Sequence, residues 1–250
     1  MLSFLRRKSA PARSVAGPAG RRAYVVGDVH GRLDLLETLL NAIEEDASVR
    51  PPARTFIVFL GDLVDRGLDS AGVLERLSTY RPAFATPVFL MGNHEEFFLN
   101  VLDGDVDTVG NWLTYGGREL AASYGISDGW LLNASPQAVA REVYRRVPAA
   151  HRDFVRGFGD SFRFGDYLFV HAGIRPGVAL EDQSPRDMRW IREAFLDDRS
   201  DHGVVVVHGH TIVEQVEERS NRIGIDTGAY HTGVLTALGI ENTERWTLAT

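Results

Sequence analysis

Five short polar motifs in this sequence carry side chains that can hold metal ions or move protons. Each motif follows an apolar run that is typical of a buried strand, such as FIVFL at 56–60. The motifs are GDVHG at 27–31, GDLVDRG at 61–67, GNHE at 92–95, HAG at 171–173 and HGH at 208–210. Because ligands bind beyond the carboxyl ends of strands in open α/β sheets, we expect the five motifs to meet at one site.

The donor atoms of these motifs are carboxylate oxygen, amide oxygen and imidazole nitrogen. The sequence contains no cysteine, which excludes thiolate metal sites, disulfides and thiol nucleophiles. Such donors suit Mn, Fe, Zn or Mg, and two cations about 3.5–4 Å apart need a bridging carboxylate. One Gly-Asp at a strand end is usually only a turn, so the prediction depends on all five motifs together. The remaining histidines His151, His202 and His231 are predicted to lie on the surface or in loops.

Strand-like and helical segments alternate along the first hundred residues. Strands are predicted at 23–26, 55–60 and 87–91, and helical spacing is found at 33–43, 70–80 and 95–102. This alternation predicts an α/β fold with parallel strands joined by crossover helices. Residues 103–159 are helical and lack a long strand signal, so we expect them to form a cap insertion on one side of the sheet.

Strands return after residue 160 and predict a second sheet. The predicted strands are 161–164, 167–170, 204–207, 212–218, 222–225, 233–240 and 245–248. The last four alternate well enough to be successive strands of that second sheet. The simplest architecture is two stacked mixed β-sheets flanked by helices.

Composition and charge restrict the possible partners. A length of 250 residues with 44% hydrophobic content predicts one domain, at 23–250, after a disordered basic tail at 1–22. A net charge of -7 argues against a nucleic-acid binder. No segment is long and apolar enough to span a membrane, so a cytoplasmic location is expected. An alternative interpretation of the tail is weak peripheral contact with anionic lipid or an acidic partner.

The ordered motifs GDVHG, GDLVDRG, GNHE, HAG and HGH resemble those of the calcineurin-like metallophosphoesterase superfamily. The chain is most similar to the bacterial branch of phosphoprotein phosphatases, and the resemblance spans residues 22–240. It implies two divalent metal ions, with manganese favoured, and Asp62 as the bridging ligand. The remaining ligands implied by the resemblance are Asp28 and His30 for one ion, and Asn93, His171 and His208 for the other.

The resemblance also implies the roles of residues that contact the substrate. His94 would donate a proton to the leaving oxygen, and Asp65 would orient His94. Arg66 would bind the phosphate oxygens, with Asn93 beside it. A second phosphate-binding arginine is expected after HAG, with Arg192 as the candidate and Arg189 as the alternate. His210 would shape the site or contact the ligands.

Three functions are compatible with these motifs. The first is a protein phosphatase for phosphoserine and phosphothreonine, with phosphotyrosine as a further substrate; a small phosphoester is the other substrate class. The second is a hydrolase of dinucleoside polyphosphates such as diadenosine tetraphosphate, in which Asn is expected in place of Asp65. The third is an inactive scaffold. It is disfavoured because every implied ligand and both members of the His94–Asp65 pair are present.

Overall fold

A computed structural model describes residues 15–250 of the chain. Within this part, ten strands form two five-stranded mixed sheets. The strands are β1 (Arg21–Val26), β2 (Arg54–Phe59), β3 (Ala85–Phe89), β4 (Ser161–Phe164), β5 (Tyr167–Val170), β6 (Val205–His208), β7 (Glu217–Glu218), β8 (Arg222–Gly224), β9 (Thr236–Glu241) and β10 (Glu244–Ala249). The first sheet has the order β10-β9-β1-β2-β3 and the second has the order β4-β5-β6-β8-β7.

Helices cover the outer faces of these sheets. They are α1 (Leu33–Val49), α2 (Ser70–Ser78), α3 (Asn93–Leu102), α4 (Val106–Trp112), α5 (Arg118–Ser123), α6 (Asp128–Leu131), α7 (Pro136–Arg146), α8 (Ala149–Arg156), α9 (Pro185–Trp190), α10 (Glu193–Leu196) and α11 (Ala229–Thr232). A π-helical turn at Leu113–Gly117 joins α4 to α5, and a short 3₁₀ turn lies at Leu180–Asp182. No described helix combines the length and apolar character that crossing a bilayer requires.

Alternation along β1 shows how the two sheets stack. Tyr24 and Val26 pack with the helices, while Ala23 and Val25 point into the core between the sheets. The second sheet completes that core with residues such as Phe169. Side chains of a strand point to opposite faces in turn, so a central strand buried on both sides is apolar throughout. The predicted α/β fold of two stacked mixed sheets with flanking helices is confirmed.

The last two strands do not belong to the sheet in which the sequence placed them. β9 pairs antiparallel with β1, with Val25 opposite Leu238, and β10 pairs with β9. Both strands therefore extend the first sheet rather than the second. The predicted strand at 212–218 is reduced to the two residues of β7. Alternation identifies a strand and its buried face, but it carries no information on a partner that is distant in sequence.

The predicted cap at 103–159 corresponds to helices α4 to α8. Its buried residues, among them Val109, Leu120 and Val143, are continuous with the core on the helical face of the first sheet. The insertion is therefore a packed extension of the core against α2 and α3. This position brings α4 and the π-helical turn next to the loop that follows β2.

The predicted tail at 1–22 is only partly covered by the structure, since residues 1–14 lie outside the described part. Residues 15–22 pack on the sheets. The backbone N–H of Ala16 donates to Asp166 at 3.0 Å, and that of Gly17 donates to the carbonyl of Asn242 at 2.7 Å. The ordered chain thus begins before residue 23.

Candidate metal centre and active site

The loops after β1, β2, β3, β5 and β6 meet at one edge of the stacked sheets. The backbone N–H of His30 donates to the carbonyl of Asp62 at 2.8 Å, which joins the loops after β1 and β2. His171 Nδ1 lies 3.0 Å from the carbonyl of Leu60, which links the second sheet to the first. Parallel strands expose their carboxyl ends at the same edge, so the topology itself gathers these motifs.

Asp62 lies at the centre of the gathered side chains. Its Oδ2 is 3.6 Å from His30 Nε2 and 3.4 Å from His171 Nε2. Asn93 Oδ1 lies 3.0 Å from the same His171 nitrogen, and all four side chains are buried. His30 Nδ1 is held 2.9 Å from the carbonyl of Val64, which fixes the ring with Nε2 facing the site. The carboxylate of Asp62 therefore lies within 3.6 Å of imidazole nitrogens from both sheets.

The second histidine of HGH, rather than the first, completes this cluster. His210 Nδ1 lies 3.2 Å from His171 Nε2, and Asp62, His171 and His210 form a potential metal-binding group. His208 is the last residue of β6, and its Nε2 is 3.3 Å from Arg222 while its ring packs on Phe195. The structure thus brings His210, and not His208, to this cluster. The side chains of the motifs that reach the cluster lie beyond strand ends, and His208 lies within a strand.

The electrostatics of the site favour cations. Burial, together with the nearby carboxylates of Asp226 and Asp62, raises the pKa of Asp28 well above its usual value. Asp28 Oδ2 accepts the backbone N–H of His210 at 3.0 Å, whereas its buried Oδ1 has no hydrogen-bond partner. Buried carboxylates without compensating charge are costly, and a divalent cation supplies that charge. The oxygen and imidazole donors present here fit such ions.

His94 lies beside this cluster and is paired with a buried carboxylate. Its Nδ1 is 2.7 Å from Asp65 Oδ2, and neither side chain is appreciably exposed. Burial lowers the pKa of His94, but the charges of Asp62 and Asp65 outweigh this effect and leave it raised. His94 Nε2 lies 3.9 Å from Asp62 Oδ2, so the ring nitrogen that does not contact Asp65 faces the centre. A ring held in this way can deliver a proton at that centre.

Arg66 approaches the same point without a carboxylate partner among residues 15–250. Its guanidinium lies over the ring of Tyr230, 4.8 Å from the ring centroid, and its Nη2 is 3.1 Å from His94 Nε2. Its backbone N–H donates to the carbonyl of Gly116 at 3.1 Å. An aromatic face supports a guanidinium from the side and leaves its in-plane N–H groups available for an anion.

The two candidates for the second arginine have different surroundings. Arg189 is engaged by Glu96 at 3.0 Å and by Asp160 at 2.7 Å. Arg192 is exposed, and its guanidinium donates a long hydrogen bond of 3.5 Å to Thr211. Burial lowers the pKa of His210, and the positive charge of Arg192 adds to this effect. The geometry favours Arg192 over Arg189 as a ligand for phosphate.

Sequence reasoning missed several residues that support the site. Glu95 is fully buried and accepts the backbone N–H groups of Asp62 and Leu63 at 2.7 Å each; burial and the charge of Asp62 raise its pKa to about 7. The Glu three positions after Gly92 is the signal that could have indicated it, because that spacing forms a capping box. Trp112 and Tyr230 gave no comparable signal.

One of the predicted surface histidines is buried instead. His151 is 3% exposed and lies between Tyr124 Oη at 2.7 Å and Glu75 at 2.9 Å. It fastens α8 to α5 and α2. The sequence context of His151 is unremarkable because the cap helices that enclose it come together only in the folded chain.

Backbone strain is concentrated at this site. A positive φ is uncommon for a residue other than glycine. Among the described residues, those that adopt it are His30, Asp62, Asp65, Arg66, His210 and, away from the site, Asn242. The side chains that form the candidate site therefore stand on turns that are costly for them.

Comparisons with known proteins identify the family. Residues 21–235 match the model for the calcineurin-like phosphoesterase family. The chain therefore belongs to this family and is a hydrolase of phosphoesters, which confirms the resemblance carried by the motifs. The family implies divalent metal ions, and the buried His and Asp groups fit them.

Relatives with different names match most of the chain. Serine/threonine-protein phosphatase 1 of Salmonella typhimurium is 30% identical over 232 residues, covering 88% of this chain and 93% of the relative. The asymmetrical bis(5'-nucleosyl)-tetraphosphatase PrpE of Halalkalibacterium halodurans is 27% identical over 237 residues, covering 86% and 88%. A crystal structure of a putative diadenosine tetraphosphatase has a TM-score of 0.61 and 20% identity, covering 92% of this chain and 94% of that one. The structural likeness shows the fold alone.

Proposed function

We propose that this phosphoesterase is a protein phosphatase that removes phosphate from serine and threonine, and also from tyrosine. The observation that carries the proposal is the buried pair of His94 and Asp65, 2.7 Å apart at the edge of the metal cluster. A serine or threonine alkoxide is a poor leaving group and needs a proton, which such a pair can supply. The similarity over most of the length of a serine/threonine phosphatase supports the same proposal.

Two divalent cations, with manganese favoured, would be held by Asp62 together with the donors around it. Asp28 and His30 come from the loop after β1, whereas Asn93, His171 and His210 follow β3, β5 and β6. When bound, the cations activate water and neutralise charge on the phosphoryl oxygens. We propose His210 as the ligand in place of His208, because the second ring nitrogen of His208 contacts Arg222.

The chain's own side chains would orient the phosphate and its leaving group. Arg66, which has no carboxylate partner among residues 15–250, binds phosphoryl oxygens, and Arg192 and Asn93 approach from the other loops. His94 donates the proton from Nε2 to the leaving oxygen while Asp65 holds Nδ1–H. Asp65 is buried and hydrogen-bonded on both oxygens, which keeps the imidazole in one orientation.

A dinucleoside polyphosphate is the second candidate substrate. Two cavities of about 670 and 760 Å³ adjoin the site, and both are lined by Arg66 and Tyr230. Their size suits a nucleoside on either side of a polyphosphate. Relatives named as tetraphosphatases favour this alternative as well.

A substrate panel on the manganese-loaded protein distinguishes the two candidates. The panel contains phosphoserine, phosphothreonine and phosphotyrosine peptides and diadenosine tetraphosphate, each at matched concentrations. We expect kcat/KM for the phosphoserine or phosphothreonine peptide to exceed that for the dinucleotide. Higher kcat/KM for diadenosine tetraphosphate than for every peptide would replace the first proposal by the second.

A further inference from the structure

The carboxylate of Asp65 is held on both sides. Its Oδ2 contacts His94 Nδ1 at 2.7 Å, and its Oδ1 accepts a hydrogen bond from Trp112 Nε1 at 3.1 Å. Asp65 and Trp112 are fully buried. The indole N–H and the imidazole of His94 thus together fix the rotation of this carboxylate about its Cβ–Cγ bond.

Trp112 is itself held rigidly by the cap. It ends α4, and a Cβ atom added at Gly117 would lie 2.3 Å from its ring, so the following turn packs directly on the indole. One turn later, the carbonyl of Gly116 accepts the backbone N–H of Arg66. The cap therefore forms one hydrogen bond of 3.1 Å with each of two consecutive residues, Asp65 and Arg66.

These two residues need an external support. Their φ angles are 69° and 65°, a conformation that residues other than glycine adopt at a cost. A loop in such a conformation relaxes unless neighbouring groups hold it. The contacts from Trp112 and Gly116 are such supports, and they come from a part of the chain that donates no metal ligand.

We propose that Trp112 is a positioning residue of the general acid. Its indole N–H aligns Asp65 with His94, so that the proton on Nε2 points at the leaving oxygen. The inference rests on the proposed role of His94. Rates of proton transfer depend steeply on geometry, and a misaligned acid forfeits part of the roughly 10²–10⁴-fold that acid catalysis supplies.

The test replaces the indole by a ring of similar shape without the N–H. Trp112→Phe is compared with Trp130→Phe, a cap tryptophan that is 40% exposed. Each manganese-loaded variant is assayed on a phosphoserine peptide, which has a poor leaving group, and on p-nitrophenyl phosphate, which has a good one. We expect Trp112→Phe to lower kcat on the peptide about 10-fold, with KM for both substrates and kcat on p-nitrophenyl phosphate changing less than about 2-fold. Trp130→Phe is expected to match the parent.

A spectroscopic readout separates alignment from general loosening. In proton NMR, the Nδ1–H of His94 is expected as a downfield resonance, identified by its loss in His94→Asn. We expect this resonance to move or broaden in Trp112→Phe and to stay unchanged in Trp130→Phe. Should Trp112→Phe fold poorly by circular dichroism, Trp112→Tyr is measured in its place with the same expected outcome.

The double variant decides between positioning and a merely structural role. In a His94→Asn background, Trp112→Phe is expected to cause no further decrease of kcat on the peptide. The positioning role is overturned if Trp112→Phe lowers kcat equally on both substrates. It is also overturned if the losses of kcat on the peptide are additive in the double variant. If His94→Asn itself lowers kcat equally on both substrates, His94 is not the general acid, and the inference about Trp112 fails with it. If His94→Asn lowers kcat more on the peptide than on p-nitrophenyl phosphate and Trp112→Phe does not, only the inference about Trp112 fails.

Discussion

Glu95 accepts a hydrogen bond from the backbone N–H of Asp62 at 2.7 Å. The same carboxylate accepts from Leu63 at 2.7 Å and from Gly92 at 3.0 Å, so it joins the loops after β2 and β3. One loop carries the central carboxylate of the site, and the other carries Asn93 and His94. The relative position of these groups therefore depends on a buried side chain that is not one of the proposed metal ligands.

Replacing Glu95 by Gln is expected to weaken metal binding more than it alters the fold. The amide keeps the size of the side chain but turns one acceptor into a donor that opposes a backbone N–H. A lost hydrogen bond to a charged group costs about 1.5–3 kcal/mol, and we expect manganese affinity in titration calorimetry to fall at least about 10-fold. Glu96→Gln is the matched control, since Glu96 pairs with Arg189 outside the cluster. Equal manganese affinity in the two variants would contradict the prediction.

His208 and His210 can be distinguished by counting metal ions. Because His210 lies in the cluster and His208 contacts Arg222, His210→Asn is expected to retain about one manganese per chain. His208→Asn is expected to retain two and to lose thermal stability instead. Elemental analysis after gel filtration provides the measurement. Loss of an ion from His208→Asn alone would restore the assignment made from the sequence.

Arg189 and Arg192, the two candidates for the second phosphate-binding arginine, are expected to differ in their effects on substrate binding and on stability. Removing a charge-assisted hydrogen bond to phosphate weakens binding by about 1.5–3 kcal/mol, roughly 10- to 100-fold. Arg192→Ala should therefore raise KM for a phosphopeptide and the inhibition constant of inorganic phosphate. Arg189→Ala removes ion pairs to Glu96 and Asp160 and should lower the melting temperature with little change in KM. The reverse pattern would make Arg189 the phosphate ligand.

Tyr230 is expected to act through its ring rather than through its hydroxyl. The ring supports Arg66 from 4.8 Å, and a cation–π contact is worth about 0.5–2 kcal/mol. Tyr230→Phe should bind inorganic phosphate as the parent does, whereas Tyr230→Leu should bind it about 3- to 30-fold more weakly. Calorimetry on the metal-loaded protein measures this directly. A large loss in Tyr230→Phe would show instead that the hydroxyl contacts the ligand.

A cluster at Asp46 predicts how stability depends on pH. Asp46 Oδ2 accepts hydrogen bonds from Tyr24, Arg50 and Trp246, which join α1 to β1 and β10. Burial raises the pKa of Asp46, but these bonds outweigh burial and lower it. A carboxyl whose folded pKa is depressed stabilises the protein above its unfolded pKa, and this contribution is lost as pH falls through the folded value.

The matching experiment compares the metal-free parent with Asp46→Asn over a pH series. We expect the variant to melt about 3–6 °C lower at pH 7. The difference should shrink as pH falls below about 4, where the carboxyl of the parent becomes protonated. A gap that stays constant down to pH 2 would mean that the charge of Asp46 contributes nothing to stability.

The sequence predicted the strands that precede the polar motifs because each strand is apolar and short. It also predicted that Asp62 and His171 would approach each other, since both follow parallel strands. It assigned His208 rather than His210 to the metal. Which of the two reaches the cluster depends on where β6 stops pairing with β8, and His208 still pairs with Gly224. Local periodicity does not report such long-range registers.

The same limit explains the other differences. The placement of β9 beside β1 and the burial of His151 are both set by contacts between distant parts of the chain. Trp112 lies in the segment predicted to form the cap, and nothing in its sequence context indicates a contact with Asp65. The direction of its N–H is a property of the assembled fold.

The left-handed backbone conformation lowers stability at five residues of the candidate site. They are His30, Asp62, Asp65, Arg66 and His210. At such a conformation glycine carries no steric penalty, so replacing Asp65 by Gly removes strain along with the side chain. Selection of this protein for heat resistance alone would therefore tend to erase its active residues, and hydrolysis must be required in the same screen.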